Sequence, residues 1–251
     1  MADATPNSDR AQLCANLYDA EYKQLFLELL CKHVEEAQKP RRKPSREWCA
    51  NWVSVGKAYK AGGRMIVGRA VNGWKNTKFC LQEVQTKEGK EKLVASCCQS
   101  FVDEFAYGKP CSISSIGRMA RRVADGPRDW GSCWNEPKIA WSNLMKISPE
   151  KGGNPPEWSF CAQLPTATQL LKLELARLAP SLVVFLTGMR WFEPFLEPLG
   201  AHVERTKDCQ FVLLCGHLGE SIIIVSEHPA RRPEEELESE IRRCAGLQVN
   251  S

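Results

Sequence analysis

Apolar residues along this chain follow two rhythms. Four runs are continuous and rich in β-branched residues, and each ends abruptly in Gly, Asn or His-Pro. They are Met65-Ile66-Val67-Gly68-Arg69-Ala70-Val71-Asn72-Gly73, Trp141-Ser142-Asn143-Leu144-Met145-Lys146, Leu182-Val183-Val184-Phe185-Leu186-Thr187-Gly188 and Ile222-Ile223-Ile224-Val225-Ser226-Glu227-His228-Pro229. Such runs read as buried parallel strands, because a half-exposed strand would alternate apolar with polar. In an open α/β sheet the ligand sits beyond the carboxyl ends of the strands, so the polar residues that end these runs are the place to look for chemistry.

The second rhythm is helical. From Ser8 to Gln38 the residues Leu13, Leu17, Phe26, Leu29, Leu30 and Val34 recur at helix spacing, with Ser8 or Asp9 as a cap. Strand one is read over Arg64 to Val67. The long polar stretch after it holds a hairpin of Phe79–Val84 with Leu93–Cys97, turning at Lys87-Glu88-Gly89-Lys90. Ser112 to Val123 puts Ile113, Ile116, Met119, Ala120 and Val123 on one helix face, closed by Gly126. Strand two spans Lys138 to Leu144, and Gly152 to Pro156 is a loop. A helix runs from Thr166, after Pro165, to Leu178. Phe211–Leu214 reads either as a sheet strand or as half of a hairpin with Ser221–Val225. The last helix opens at Pro233 with three glutamates favourable in its first turn, and ends near Gly246. These elements predict an α/β fold, a three-layer α/β/α sandwich with a mainly parallel central sheet. One domain covers residues 1–251, with an N-terminal helical region at 8–60 and an insert at 75–137.

Composition narrows the class. With 251 residues, 43% hydrophobic and 25% charged, the chain can bury one substantial core. No apolar run approaches the ~20 residues that span a bilayer. The start, Met1-Ala2-Asp3-Ala4-Thr5-Pro6, lacks the layout of a signal peptide, so a cytoplasmic protein without membrane contact is expected. Twelve cysteines include no Cys-x-x-Cys pair, which predicts scattered buried thiols rather than a metal site. The net charge of +4 is concentrated in Lys39–Arg46, in Arg118, Arg121 and Arg122, and in Arg231-Arg232. Such runs are solvated surface or, together, a split phosphate-binding face; spacing favours the first.

Gly68 to Gly73 falls short of a phosphate-binding P-loop, because Trp74 stands where that motif needs Lys. No nucleotide triphosphate is therefore expected. His228-Pro229 closes an apolar strand and precedes two arginines, which gives it a context that His33, His202 and His217 lack. Asn143 near the end of strand two is costly unless its amide is hydrogen-bonded, and an amide can read a base edge.

In combination, Gly68-Arg69-Ala70-Val71-Asn72-Gly73, Asn143-Leu144-Met145-Lys146 and His228-Pro229-Ala230-Arg231-Arg232 resemble the motifs of the uracil-DNA glycosylase superfamily. The resemblance covers about Arg64 to Arg243. It implies a monofunctional DNA glycosylase that extrudes a damaged or modified pyrimidine and hydrolyses its N-glycosidic bond. Asn72 would orient the attacking water and His228 would donate to the departing base. Asn143 would read the base, Gly68 would line its pocket, and Trp74 or Phe79 would stack on it. Arg69, Arg231 and Arg232 would hold DNA. The chain is also similar to defence glycosylases that remove bulky bases from phage DNA, which makes a hypermodified cytosine a candidate substrate and antiviral defence a candidate role.

Departures from the family pattern refine this. Arg69 and Ala70 fill positions where the family has an acidic residue or Asn, and no Pro follows. Ile147 stands where the iron–sulfur branches have Cys, and the helix read from Thr166 lacks their next Cys. No cluster and no other cofactor is therefore expected, and a monomer is. The competing class is a non-catalytic nucleic-acid-binding module that kept the fold.

Overall fold

The continuous runs become the parallel centre of a sheet. The structure, a computed structural model, describes residues 6–56, 58–70, 77–107, 115–125, 138–151 and 153–247, of which 6–11, 98–107 and 124–125 as backbone only. In chain order the elements are α1 (Pro6–Leu17), α2 (Ala20–Ala37), β1 (Trp48–Ala50), β2 (Ser54–Val55), β3 (Arg64–Ala70), β4 (Lys78–Phe79), α3 (Lys87–Tyr107), α4 (Ser115–Asp125) and β5 (Ile139–Met145). There follow β6 (Ile147–Pro149), α5 (Glu157–Leu178), β7 (Leu182–Phe185), α6 (Met189–Leu199), β8 (His202–Arg205), β9 (Val212–Leu218), β10 (Ser221–Ser226) and α7 (Glu234–Cys244).

The fold is mixed α/β. Its main sheet has seven strands in the order β2-β5-β3-β7-β10-β9-β8, and a small sheet has the order β4-β1-β6. Strands β5, β3, β7 and β10 are parallel neighbours, whereas β2, β9 and β8 are antiparallel to theirs. The sheet is thus mixed rather than mainly parallel. The expected parallel core is there, and antiparallel pairing extends it on both flanks.

Alternate residues of the parallel strands divide between two cores. Met65, Val67, Val183, Phe185, Ile223 and Val225 join a large cluster with α2, α5 and α6. Ile66, Leu182, Val184 and Ile224 join a smaller one with Met119 of α4 and Leu237 and Ile241 of α7. Burial on both faces is why these strands read as unbroken apolar runs.

The larger core contains a buried charge network. The Glu174 carboxylate accepts from Tyr22 OH at 2.6 Å, Ser142 Oγ at 2.6 Å and Lys146 Nζ at 2.7 Å. Lys146 and Glu174 are fully buried. Burial pulls the Lys146 ammonium down from its ordinary range and the Glu174 carboxylate holds it back. The network ties α2, β5 and α5 together.

Several expected elements differ. The helical region from Ser8 to Gln38 forms two helices, divided where the Asp19 carboxylate caps Tyr22 N–H at 3.0 Å. The hairpin over 79–97 does not form, because Lys87 to Tyr107 is helical. Leu93, Val94 and Cys97 are its buried side, a helix spacing. Gly89 is not a turn residue: a Cβ there would meet the Glu83 carbonyl at 1.6 Å, so the first turn of α3 needs glycine for close approach.

Helix α5 begins at Glu157, nine residues before the expected Thr166, and runs through Pro165. Pro165 and Cys161, whose carbonyl the ring leaves without its helix bond, are both exposed, where solvent can take that bond. The earlier start places Cys161 inside this helix, which the sequence reading had left without a cysteine. Phe211–Leu214 proves to be both of the alternatives: β9 forms a hairpin with β10 and is a strand of the main sheet, paired also with β8. The last helix starts one residue after Pro233, which stands at its N-cap. Strands β1, β2, β6 and β8 and helix α6, with Pro194 and Pro198 inside it, were not foreseen.

Candidate functional site at the carboxyl edge of the sheet

Parallel pairing aligns the ends of four strands. Gly68 is opposite Asn143, while Val67 and Val225 are both opposite Phe185. Two positions beyond that row, Arg69 near the end of β3, Thr187 just after β7 and Glu227 just after β10 come to the same edge. Strand β5 lies on one side of β3 and β7 on the other, so the chain reverses its direction of travel across the sheet at β3. In open sheets this switch is where the loops diverge and leave a crevice.

A cleft of about 790 Å³ opens there. Arg69, Thr187 and Glu227 line it from the strand ends, with Phe160 of α5 and Trp191 of α6 as an aromatic wall. The two rings meet edge to face at 5.4 Å. Arg69 Nε donates to the Thr187 carbonyl at 2.6 Å, which fixes the guanidinium against the end of β7. Gly188 follows with φ +75°, a conformation side chains avoid, and its N–H binds the Ser226 carbonyl at 2.8 Å.

His228 comes next on β10's trailing loop and is half-buried. Its Nδ1 accepts from Ala230 N–H at 3.1 Å, so in the neutral ring the proton sits on Nε2. Burial pushes the imidazole down to about 4, the Arg69 guanidinium pushes the same way, and Glu227 opposes them. At neutral pH His228 is an uncharged donor of fixed tautomer.

Asn143 is 5% exposed, and no hydrogen bond to its amide is formed among the described residues. Its Oδ1 lies over Gly68, 2.5 Å from where a Cβ there would stand, with Ile116 of α4 at 3.7 Å from the same point. Gly68 is what lets this amide lie flat against the neighbouring strand. Because side chains alternate along β3, Gly68 with Asn143 belong to the α4 side of the edge and Arg69 to the side of α5 and α6. The sequence reading joined these residues in one set. The structure brings them to one edge as two groups, a residue apart.

Other expected residues lie as follows. Asn72 and Trp74 are outside the described residues. Phe79 is 4% exposed in β4, opposite Trp48, within the larger core and not in the cleft wall. Arg231, with φ +63°, and Arg232 are exposed on the turn after His228, and Arg232 pairs with Glu227 at 3.4 Å. Of the second basic cluster, Arg118 pairs with Glu234 at 2.6 Å and Arg122 with Glu238 at 2.9 Å, so these cations serve the α4–α7 contact. His33, given no role, is buried with Nδ1 3.1 Å from Ser159 Oγ, its ring stacked on Trp158. Among the described residues no set of His, Cys, Asp or Glu is arranged to hold a metal ion, and no helix is long and apolar enough to cross a membrane.

Sequence reasoning missed the cleft residues Thr187, Glu227, Phe160 and Trp191. Thr187 and Glu227 were within the quoted strand-end runs, and Glu227 stands next to His228. Phe160 and Trp191 come from first helical turns and carried no pattern.

A scan against protein-family models finds no match to this chain, and no curated protein shows significant similarity to it.

Proposed function

We propose that the chain is a monofunctional DNA glycosylase with the three-layer arrangement of the uracil-DNA glycosylase superfamily, acting on a damaged or modified pyrimidine. The observation that carries this reading is that two groups come to one sheet edge, one on β5 and one after β10. One is a buried amide, Asn143, with no hydrogen-bond partner among the described residues and its Oδ1 against Gly68. The other is a neutral imidazole, His228, with its Nδ1 engaged and its Nε2 proton available.

Each group suits one part of the reaction. An amide offers a donor and an acceptor together and so reads a base edge. Breaking the N-glycosidic bond leaves negative charge on the departing base. A preorganised neutral donor stabilises that charge without first having to lose a proton. Asn72 would orient the water that attacks the sugar carbon, a role it holds on its sequence position. Arg231 and Arg232, exposed beside His228, would take backbone phosphates. A modified cytosine from phage DNA is the candidate substrate that the resemblance supplies.

The test is incubation of the full chain with normal, uracil-containing and phage-modified DNAs, scored for abasic sites. Base release from one of them, lost in His228→Ala, supports the reading. DNA binding with no release from any of them would instead make the protein a binding module that kept the fold.

A further inference from the structure

Three cysteines converge on the packing of α7 against the β8–β9 turn. Cys209 Sγ and Cys244 Sγ are 3.6 Å apart, and Cys215 Sγ contacts the Cys244 carbonyl oxygen at 3.5 Å. The surroundings hold the first pair in place from both sides. The Glu240 carboxylate of α7 accepts from the backbone N–H groups of Gln210, Phe211 and Val212 at 2.7–2.9 Å, which clamps the turn onto the helix. Arg243 Nη2 donates to the Asp208 carbonyl at 2.7 Å and lies 3.1 Å from Cys209 Sγ. Cys209 is half-buried between exposed Asp208 and Gln210, within reach of solutes.

We propose that Cys209 and Cys244 form a reversible disulfide on exposure to hydrogen peroxide, a modification site that uses none of the residues assigned to base release. Cys209 is the attacking sulfur, because it is the outer one, half-buried between exposed neighbours, with Arg243 Nη2 against its Sγ. Its thiolate attacks one peroxide oxygen, the O–O bond breaks, and hydroxide leaves to be protonated to water. Cys209 is then a sulfenic acid. The Cys244 sulfur attacks Cys209 Sγ, the S–O bond breaks, the S–S bond forms, and a second water leaves. The two thiols give up two electrons and two protons, and the peroxide is reduced to two waters.

Burial pushes the Cys244 thiol up to about 12 and the neighbouring Cys209 sulfur adds to the effect, which fits Cys244 as the resolving rather than the attacking partner. Cys215 is turned to a backbone oxygen of α7 and takes no part. The bond would tie the last residue of α7 to the turn before β9, and so stabilise the packing of that helix on the sheet by constraining the unfolded chain.

The experiment treats the reduced full chain with hydrogen peroxide, blocks remaining thiols, digests without reductant and maps cross-linked peptides by mass. The expected product joins Cys209 to Cys244, disappears with dithiothreitol, and is absent from Cys209→Ser and Cys244→Ser but present in Cys215→Ser. The oxidised wild type should melt several degrees higher than the reduced one, with no such rise in Cys209→Ser. Cys209 and Cys244 remaining free for alkylation, oxidation confined to exposed Cys161, or a cross-link that uses Cys215 would each overturn the proposal.

Discussion

The amide oxygen of Asn143 lies across the α-carbon of Gly68, on the adjacent parallel strand, in the space a side chain would fill. Among the described residues this close approach to Gly68 is the contact that bears on the amide's position. Gly68→Ala should push the amide aside and act like Asn143→Ala. Each should cost about 1–3 kcal/mol in discrimination between bases, since that is the worth of one well-placed amide pair. The check is single-turnover release from matched substrates, with circular dichroism to show the fold intact. Wild-type discrimination in Gly68→Ala would remove Asn143 from base reading.

His228→Ala should lower base release by ~10²–10³ with DNA affinity nearly unchanged, the usual effect of losing one preorganised donor to a developing anion. In an NMR titration the His228 ring should protonate near pH 4. Release should therefore stay level as pH falls through the ordinary histidine range. An acid limb near ~6.5, the free imidazole value, would contradict the neutral-donor role.

Arg231→Ala with Arg232→Ala should weaken binding to all DNA sequences alike, and each lost phosphate contact should reduce the salt-dependence slope by about 0.9. The Arg232 share should be the smaller, because Glu227 already engages that guanidinium. Arg118→Ala should leave the slope unchanged and lower the melting temperature, since its partner is Glu234 of α7.

Glu174→Gln or Lys146→Met alone should destabilise the protein by about 3–5 kcal/mol, each stranding an uncompensated buried group. Joint replacement by Met and Leu should recover much of the loss. Urea unfolding of the three variants measures this directly. A double variant no better than the singles would mean the pair contributes more than its own desolvation.

Burial pushes His33 down to about 3, while the unfolded chain takes up the same proton near 6.5. Its contribution is therefore full above pH 6.5 and is lost as pH falls toward 3, by up to about 4 kcal/mol. His33→Gln should flatten that part of the stability–pH curve. A curve of unchanged slope would assign acid sensitivity to other groups.

The central strands could be read in the sequence because burial on both faces leaves no alternation to obscure them. Their polar ends followed at once, so Gly68, Asn143 and His228 could be named before any coordinates. What could not be read has physical causes. The short strands β1, β2 and β6 hold two or three residues each, too few to display a period. Gly89 and Pro165 imitated breakers, one serving close packing and the other sitting where solvent replaces its missing bond. The aromatic wall formed by Phe160 and Trp191 joins residues 31 positions apart, a juxtaposition only the crossing of β3 creates.

The two ends of the main sheet have a consequence for how these molecules behave in company. One edge, β2, offers two residues, and the other, β8, carries exposed His202, Glu204 and Arg205. An intruding strand would find either too little backbone to pair with or a row of ionic side chains in its path. A sheet of seven strands is a large template for aggregation when its borders are long and apolar. Here the borders are the least adhesive part of it, so the protein can be concentrated for the DNA assays with little risk of edge-to-edge stacking.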